Sequence, residues 1–241
     1  MRIDKFLSDM AVASRKESSR AAKRGGILVN GTAVRDASVH INPDKDTVIY
    51  LGRTVEYRRH VFVMLNKPEG YVSATEDKAH PYVTELLPPE LRARELFPVG
   101  RLDKDTVGLM LLTDDGESAH RLLSPKRHVT KSYRFRCAEP LIPSCEDIFL
   151  AGAVLGDGYV CKSAELIADE DRLGGVITLT EGKYHQIKRM LGSVGNKITA
   201  LERITFGPLS LDGALARGEW RYLTEGETEE LLLAAGADKR N

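Results

Sequence analysis

Cysteine is scarce in this sequence: Cys137, Cys145 and Cys161 are the whole set, odd in number and without a CxxC spacing. That argues against a disulfide framework and against a zinc site built on thiolates, and leaves buried free thiols as the expectation. The six histidines are equally scattered, with no HExxH and no facial His/Asp arrangement, so no metal and no cofactor are expected. Aromatic residues make up only 6%, with the single tryptophan Trp220, which disfavours a carboxylate glycosidase with an aromatic-lined sugar groove. No stretch reaches the about 18 consecutive apolar residues of a membrane helix. The opening MRIDKFLSDM is charged and amphipathic, without a signal-peptide apolar region. A cytoplasmic protein with no membrane partner is the expectation. There is no internal repeat. Hydrophobic residues at 42% of 241 allow a buried core, and the length suits a small domain joined to a larger one.

Net charge is absent too, with 35 basic against 35 acidic residues, but the balance hides an asymmetry. Residues 1–59 carry 12 Lys and Arg against 7 Asp and Glu, a net of +5, and the remainder is correspondingly acidic. A second basic run, residues 120–137, holds Arg121, Lys126, Arg127, Lys131, Arg134 and Arg136 with no acid. Two basic patches on a neutral chain suggest a polyanion held at two places, although such runs also occur as plain solvated surface.

The front of the chain reads as two helices and a hairpin. Ile3, Phe6, Leu7 and Met10 give one apolar helical face. Ser14-Arg15-Lys16-Glu17 is a capping-box pattern opening a second helix through Lys23, which Gly25-Gly26 can end. Ile27–Val29, the turn Asn30-Gly31 and Thr32–Val34 form a hairpin signal, and Thr47–Leu51 supplies another strand. The second helix offers Arg15, Lys16, Arg20 and Lys23, a loading that suits phosphates.

After a polar connector at 53–59 the pattern becomes irregular. Val61–Leu65 reads as a buried strand entering the turn Asn66–Gly70, residues 76–98 as a Pro-rich loop with a short helix at Pro89–Arg94, and Gly108–Thr113 as another strand. A helix at Glu117–Leu123, strands at Lys131–Cys137, Val176–Thr180 and Lys197–Phe206, a helix at Tyr184–Val194 and a capped helix from Thr224 complete the reading. Strands and helices without a βαβα rhythm indicate an α+β architecture around a mixed or antiparallel sheet.

One loop packs charge between two apolar stretches: Gly100-Arg101-Leu102-Asp103-Lys104-Asp105-Thr106-Val107-Gly108. A carboxylate flanked by cations in a partly desolvated cleft can serve as nucleophile or base. On composition alone an Asx turn or an ion pair between strands accounts for the same residues.

The two-helix, VNG-hairpin pattern resembles the S4 RNA-binding domain. GRLDKDTVGLMLLTDDG resembles the active-site motif of the small-subunit rRNA pseudouridine synthase A (RsuA-like) family. Asn66–Gly70, Lys131-Ser132-Tyr133, Glu181–Met190 and Arg203–Gly207 with Leu209 resemble that family's further motifs in order. The resemblance implies an S4-like RNA-binding domain over residues 1–58, a pseudouridine synthase catalytic domain over 59–241, and a monomer. It implies that Asp103 is the nucleophilic aspartate, that Tyr133 packs on the target uracil and takes part in C5 proton removal, and that Lys188 pairs with the aspartate as a point charge where many relatives have Arg. Arg15, Lys16, Arg20, Lys23, Arg101, His185, Gln186 and Arg189 are the implied RNA contacts, with Arg101 either occupying the cleft that the target base would fill or holding RNA phosphate, and Leu102, Ile187 or Leu209 an apolar wall. The implied substrate is one uridine of 16S rRNA, free or in a small-subunit assembly particle. A synthase acting on 23S rRNA and a non-enzymatic ribosome-assembly factor are the alternatives. Whether the aspartate adds to C1′, assists a glycal route or adds to C6 stays open.

Overall fold

The computed structural model describes residues 1–10 and 12–236, which fall into two compact units. The first comprises Met1–Val61 and Leu87–Leu96. Helix α1 (Ile3–Asp9) and helix α2 (Arg15–Lys23) lie with a four-stranded sheet ordered β2-β1-β3-β4. Its strands are β1 (Ile27–Val29), β2 (Thr32–Ala33), β3 (Val48–Tyr50) and β4 (Arg53–Val55). The capping box is formed: Glu17 N–H donates to Ser14 Oγ at 3.3 Å and Ser14 N–H to the Glu17 carboxylate at 2.8 Å. Asn30 and Gly31 take φ of 50° and 81°, the left-handed pair that a tight hairpin requires. Ile3, Phe6, Leu7, Ala22 and Ile27 are sealed in a core of their own.

Part of the expected connector is strand. Leu51 and Gly52 turn the chain at positive φ, and Arg53–Val55 pairs antiparallel with Val48–Tyr50. Its side chains are largely exposed, so no apolar alternation marked it. Residues 87–96, with the short helix α3 (Pro89–Arg92), join the first unit through Arg94. That guanidinium donates to the carbonyl of Asp9 at 2.7 Å and to those of Arg58 and Arg59 at 3.2 Å.

The second unit, Phe62–Leu86 with Phe97–Asn241, is built on one mixed sheet. In chain order its strands are β5 (Phe62–Lys67), β6 (Phe97–Pro98), β7 (Val107–Thr113), β8 (Lys131–Cys137), β9 (Glu165–Ala168), β10 (Gly174–Leu179), β11 (Ile198–Phe206), β12 (Leu209–Ser210) and β13 (Trp220–Tyr222). The main path runs β13-β5-β7-β11-β8-β10-β9; β6 joins β7 and β12 joins β11. Only the β7–β11 pairing is parallel among those described. Helices α4 (Gly116–Leu123), α5 (Cys145–Ala151), α6 (Gln186–Ser193) and α7 (Glu225–Ala234) complete the unit, with a 3-10 turn at Val83–Leu86. The α+β class with a mixed sheet is as the sequence predicts; α5, β9 and β13 were not anticipated.

β5 is buried along its whole length and β7 from its second residue on, which is why both read as continuous apolar runs. β8 alternates instead: Tyr133, Phe135 and Cys137 face inward while Arg134 and Arg136 face solvent. Much of the second basic run is therefore not a free patch. Arg134 and Arg136 pair with Asp169, Arg136 also with Asp171, and Arg121 with Glu117. The parallel pairing sets a steric condition on Gly108, whose φ is 98°. A Cβ there would stand 2.4 Å from the Arg203 carbonyl oxygen, so only glycine lets β7 and β11 meet.

Candidate active site

The charged loop, Gly100–Thr106, enters β7 and is fastened from below by the segment that follows β5. Lys67, with none of its surface exposed, donates its ammonium to the carbonyls of Thr106 at 2.7 Å, Pro68 at 3.2 Å and Lys104 at 3.3 Å. Gly70 N–H donates to the Lys104 carbonyl at 2.8 Å. Ser73 Oγ donates to the Leu102 carbonyl at 2.8 Å and accepts from Leu102 N–H at 2.9 Å. Burial pushes Lys67 down to about 8, against the opposing pull of Asp105, Asp103 and Glu69. The Asn66–Gly70 motif is thus the bracket of the loop.

Helix α6 supplies the cation Lys188, and the residue before it supplies an imidazole ring. That residue, His185, precedes the helix in a left-handed conformation (φ 49°), so the helix begins at Gln186, two residues later than the expected Tyr184. Tyr184 is 72% exposed and stacks on the His185 ring, centroids 3.8 Å apart. His185 Nε2 lies 3.5 Å from Asp103 Oδ1, and Lys188 Nζ 3.0 Å from Asp103 Oδ2. The same Nζ lies 2.6 Å from Asp105 Oδ1. Burial works against charge on Lys188, but hydrogen bonds to Asp105 and Asp103 outweigh it and raise its pKa. Burial likewise opposes Asp105, and the hydrogen bond from Lys188 prevails to lower its pKa. The result is an ion cluster of Asp103, Asp105 and Lys188 with the His185 ring beside it at a half-buried position, able to present a carboxylate to a substrate.

The other expected residues fall in several settings. Tyr133 sits in β8, 9% exposed, opposite Arg203 and Ile177, and makes no hydrogen bond to Asp103. Arg101 is exposed on the loop, and among the described residues it forms no ion pair. Arg189 pairs with Asp157 at 2.6 Å. Gln186 is not a surface contact: it is 4% exposed, and its amide donates to Glu181 at 2.6 Å and accepts from Lys183 N–H at 2.8 Å. On α2, in the other unit, Arg15, Lys16, Arg20 and Lys23 are all exposed, opposite the buried Ser18, Ala21 and Ala22. Cys137, Cys145 and Cys161 are buried and unbridged, and burial pushes Cys145 up to about 11, which suits packing and not chemistry. Among the described residues no group of three His, Cys, Asp or Glu is arranged to hold a metal, and no helix is long and apolar enough to cross a membrane.

Sequence reasoning missed Lys67, Asp105 and Tyr184. A lysine ending an otherwise apolar strand was the available signal for Lys67; Asp105 gives none, because its partner Lys188 lies 83 residues away, and Tyr184 none, because its stacking on the neighbouring His185 depends on a left-handed turn that no pattern marks.

Comparison with known proteins agrees with this architecture. The family model described as RNA pseudouridylate synthase matches residues 61–193, and that of the S4 domain matches residues 1–47. An uncharacterized RNA pseudouridine synthase of Bacillus subtilis is 44% identical over 232 residues, covering 94% of this chain and 96% of that protein. Ribosomal small subunit pseudouridine synthase A of Escherichia coli K12 is 37% identical over 233 residues, covering 96% of this chain and all of that protein (100%). The crystal structure of a pseudouridylate synthase, 35% identical, superposes with a TM-score of 0.68 over 96% of this chain and 99% of that one. The chain belongs to the RNA pseudouridylate synthase family, an enzyme class that isomerises uridine within RNA. Within it, the S4 domain and the relatives at 36–38% identity make it an RsuA-type member.

Proposed function

We propose that the protein converts one uridine of 16S rRNA to pseudouridine, with Asp103 as the nucleophilic carboxylate. In this reading residues 1–58 bind RNA and residues 59–241 carry out the reaction. The observation that carries it is the ion cluster: Asp103 stands on a bracketed loop with the Lys188 ammonium at 3.0 Å and the His185 ring at 3.5 Å. The small-subunit substrate is supported by the relatives named ribosomal small subunit pseudouridine synthase A, at 36–38% identity over 96% of the chain.

The reaction breaks the N1–C1′ bond, turns the uracil and joins C5 to C1′; the hydrogen leaves C5 and N1 gains one. Atoms and electrons balance within the substrate, so a positioned carboxylate and a proton carrier suffice. Asp103 adds to C1′, takes a proton at C2′ on a glycal route, or adds to C6. In each case the Lys188 ammonium, 3.0 Å away, is the group placed to hold the carboxylate in position. Tyr133 packs on the extruded base and takes part in removing the C5 proton, and Arg101, His185 and Arg189 hold RNA around it. The basic face of α2 holds folded rRNA by its phosphates.

The test is tritium release from 16S rRNA transcribed with 5-tritiated uridine. Release near one equivalent per RNA by the parent, and none by Asp103→Asn, is expected. Release by the variant overturns the nucleophile assignment. Release from 23S and not 16S transcripts or small-subunit particles overturns the substrate, and silence on all of them overturns the enzymatic reading.

A further inference from the structure

A cavity of about 140 Å³ lies in the same unit as Asp103 but outside the ion cluster. Lys131, Lys162 and Lys183 line it, with Glu181 as its one acid and Leu122 and Val129 on its apolar side. That acid is already engaged. Glu181 accepts from the Tyr159 hydroxyl at 2.9 Å, from Lys162 N–H at 2.9 Å and from the Gln186 amide at 2.6 Å. None of the three ammonium groups forms an ion pair among the described residues. Lys131 Nζ donates to the Val129 carbonyl at 2.8 Å, and Lys183 Nζ lies 5.0 Å from the centre of the Tyr159 ring.

A further cation sharpens the imbalance. Arg203 is 1% exposed and donates to the Leu109 carbonyl at 2.7 Å, with no carboxylate partner among the described residues. It stands 5.4 Å from the centre of the Phe206 ring, and Lys131 stands 5.3 Å from the same centre. Two cations, one wholly buried and one largely so, share one aromatic ring, and no described acid pairs with either. Buried charge is ordinarily paired, so this arrangement is short of one negative group. Burial, with Arg203 nearby, already pushes Lys131 down to about 8.

The cavity adjoins the reacting site by two routes. Lys183 N–H is bonded to Gln186, the residue after His185. Leu123, on the wall, lies against the catalytic loop, 3.1 Å from where a Cβ on Gly100 would stand. The space is well below the about 300–1,000 Å³ of pockets for drug-sized ligands, which suits one phosphate group and not a whole nucleotide. Lysines on flexible stems serve as point charges for such a group.

We propose that the cavity lined by Lys131, Lys162 and Lys183 seats a backbone phosphate of the substrate RNA, next to the nucleotide presented to Asp103. The proposal rests on the reading that this unit acts on RNA, and its test needs no turnover. A radiolabelled 16S rRNA transcript is bound to the full-length protein across a series of KCl concentrations. The parent is compared with Lys162→Gln/Lys183→Gln and with Lys162→Arg/Lys183→Arg, all checked for equal melting temperature. The glutamine pair is expected to raise Kd about fivefold and to reduce the slope of log Kd against log[KCl] by about 0.7–0.9, the counterion release of one phosphate. The arginine pair is expected to bind like the parent. An unchanged Kd and slope in the glutamine pair overturns the proposal, and so does an arginine pair as weak as the glutamine pair. Tritium release followed on the same samples separates the two readings. A parent that binds but never releases tritium counts against the isomerase and leaves the phosphate result standing.

Discussion

Lys188 lies closer to Asp105 than to Asp103, 2.6 Å against 3.0 Å, so one ammonium bridges two acids of the same loop. A lysine cannot grip a carboxylate with two parallel donors as arginine does, and the second acid fixes where its single charge sits. Asp105 is thus placed to position the Lys188 ammonium. Asp105→Asn is expected to lower kcat/KM about tenfold, on the order of 1.4 kcal/mol. The hydrogen bond to Asp105 raises the Lys188 pKa, so its loss is expected to move the alkaline limb of the kcat/KM profile to lower pH. A tenfold loss with an unmoved limb would mean that Asp105 acts on loop structure alone.

Lys67 fastens the same loop through three backbone carbonyls. Lys67→Met removes a charged donor and strands those acceptors, which is expected to cost about 2–4 kcal/mol by urea unfolding at neutral pH. The pH dependence has a definite sign. Folded Lys67 loses its proton near 8 while the unfolded side chain keeps it to about 10.5. Between those values the unfolded chain binds more protons, so the Lys67 contribution to folding becomes more favourable as pH rises. The stability gap between parent and Lys67→Met is expected to widen from pH 8 towards 10. A gap that narrows over that range would show that the lysine is not held in the environment described.

What was legible in the sequence was local. Ser14 and Glu17 announce α2, and Asn30-Gly31 announces its hairpin, because cap and turn chemistry are decided within four residues. β4 escaped because a short edge strand with exposed side chains has no apolar alternation. α5 escaped as seven residues without a side-chain cap. The sheet order was beyond reach, since β13 pairs with β5 from about 150 residues away and β7 with β11 in parallel. Of the candidate site, Asp103 was marked by its motif, and so was Lys188. The bridge from Lys188 to Asp105 spans 83 residues, and no spacing rule reports it.

Tyr184 is 72% exposed, yet stacked on His185 beside Asp103. An exposed aromatic ring backed by a second ring has the form of a stacking platform for a base. Tyr184→Ala is expected to weaken binding of the 16S transcript by about 1–3 kcal/mol, with Tyr184→Phe close to the parent. Because the side chain is exposed, the melting temperature is expected to stay nearly constant. Binding by Tyr184→Ala that matches the parent would leave the ring with no part in holding RNA.

Arg15, Lys16, Arg20 and Lys23 project from the exposed side of α2 with no ion pair among the described residues, while Ser18, Ala21 and Ala22 face inward. Four such cations over little more than two turns repel one another, and a phosphate backbone relieves that repulsion by releasing its counterions. Replacing all four by Gln is expected to leave the fold intact, since none of the four is buried. For every phosphate that α2 no longer neutralises, the slope of log Kd against log[KCl] is expected to fall by about 0.7–0.9. The reduction should be the same for rRNA and for an unrelated structured RNA, because phosphates carry no sequence. A weakening confined to 16S rRNA would mean that this helix reads the site instead of only gripping it, and an unchanged slope would remove α2 from the RNA interface.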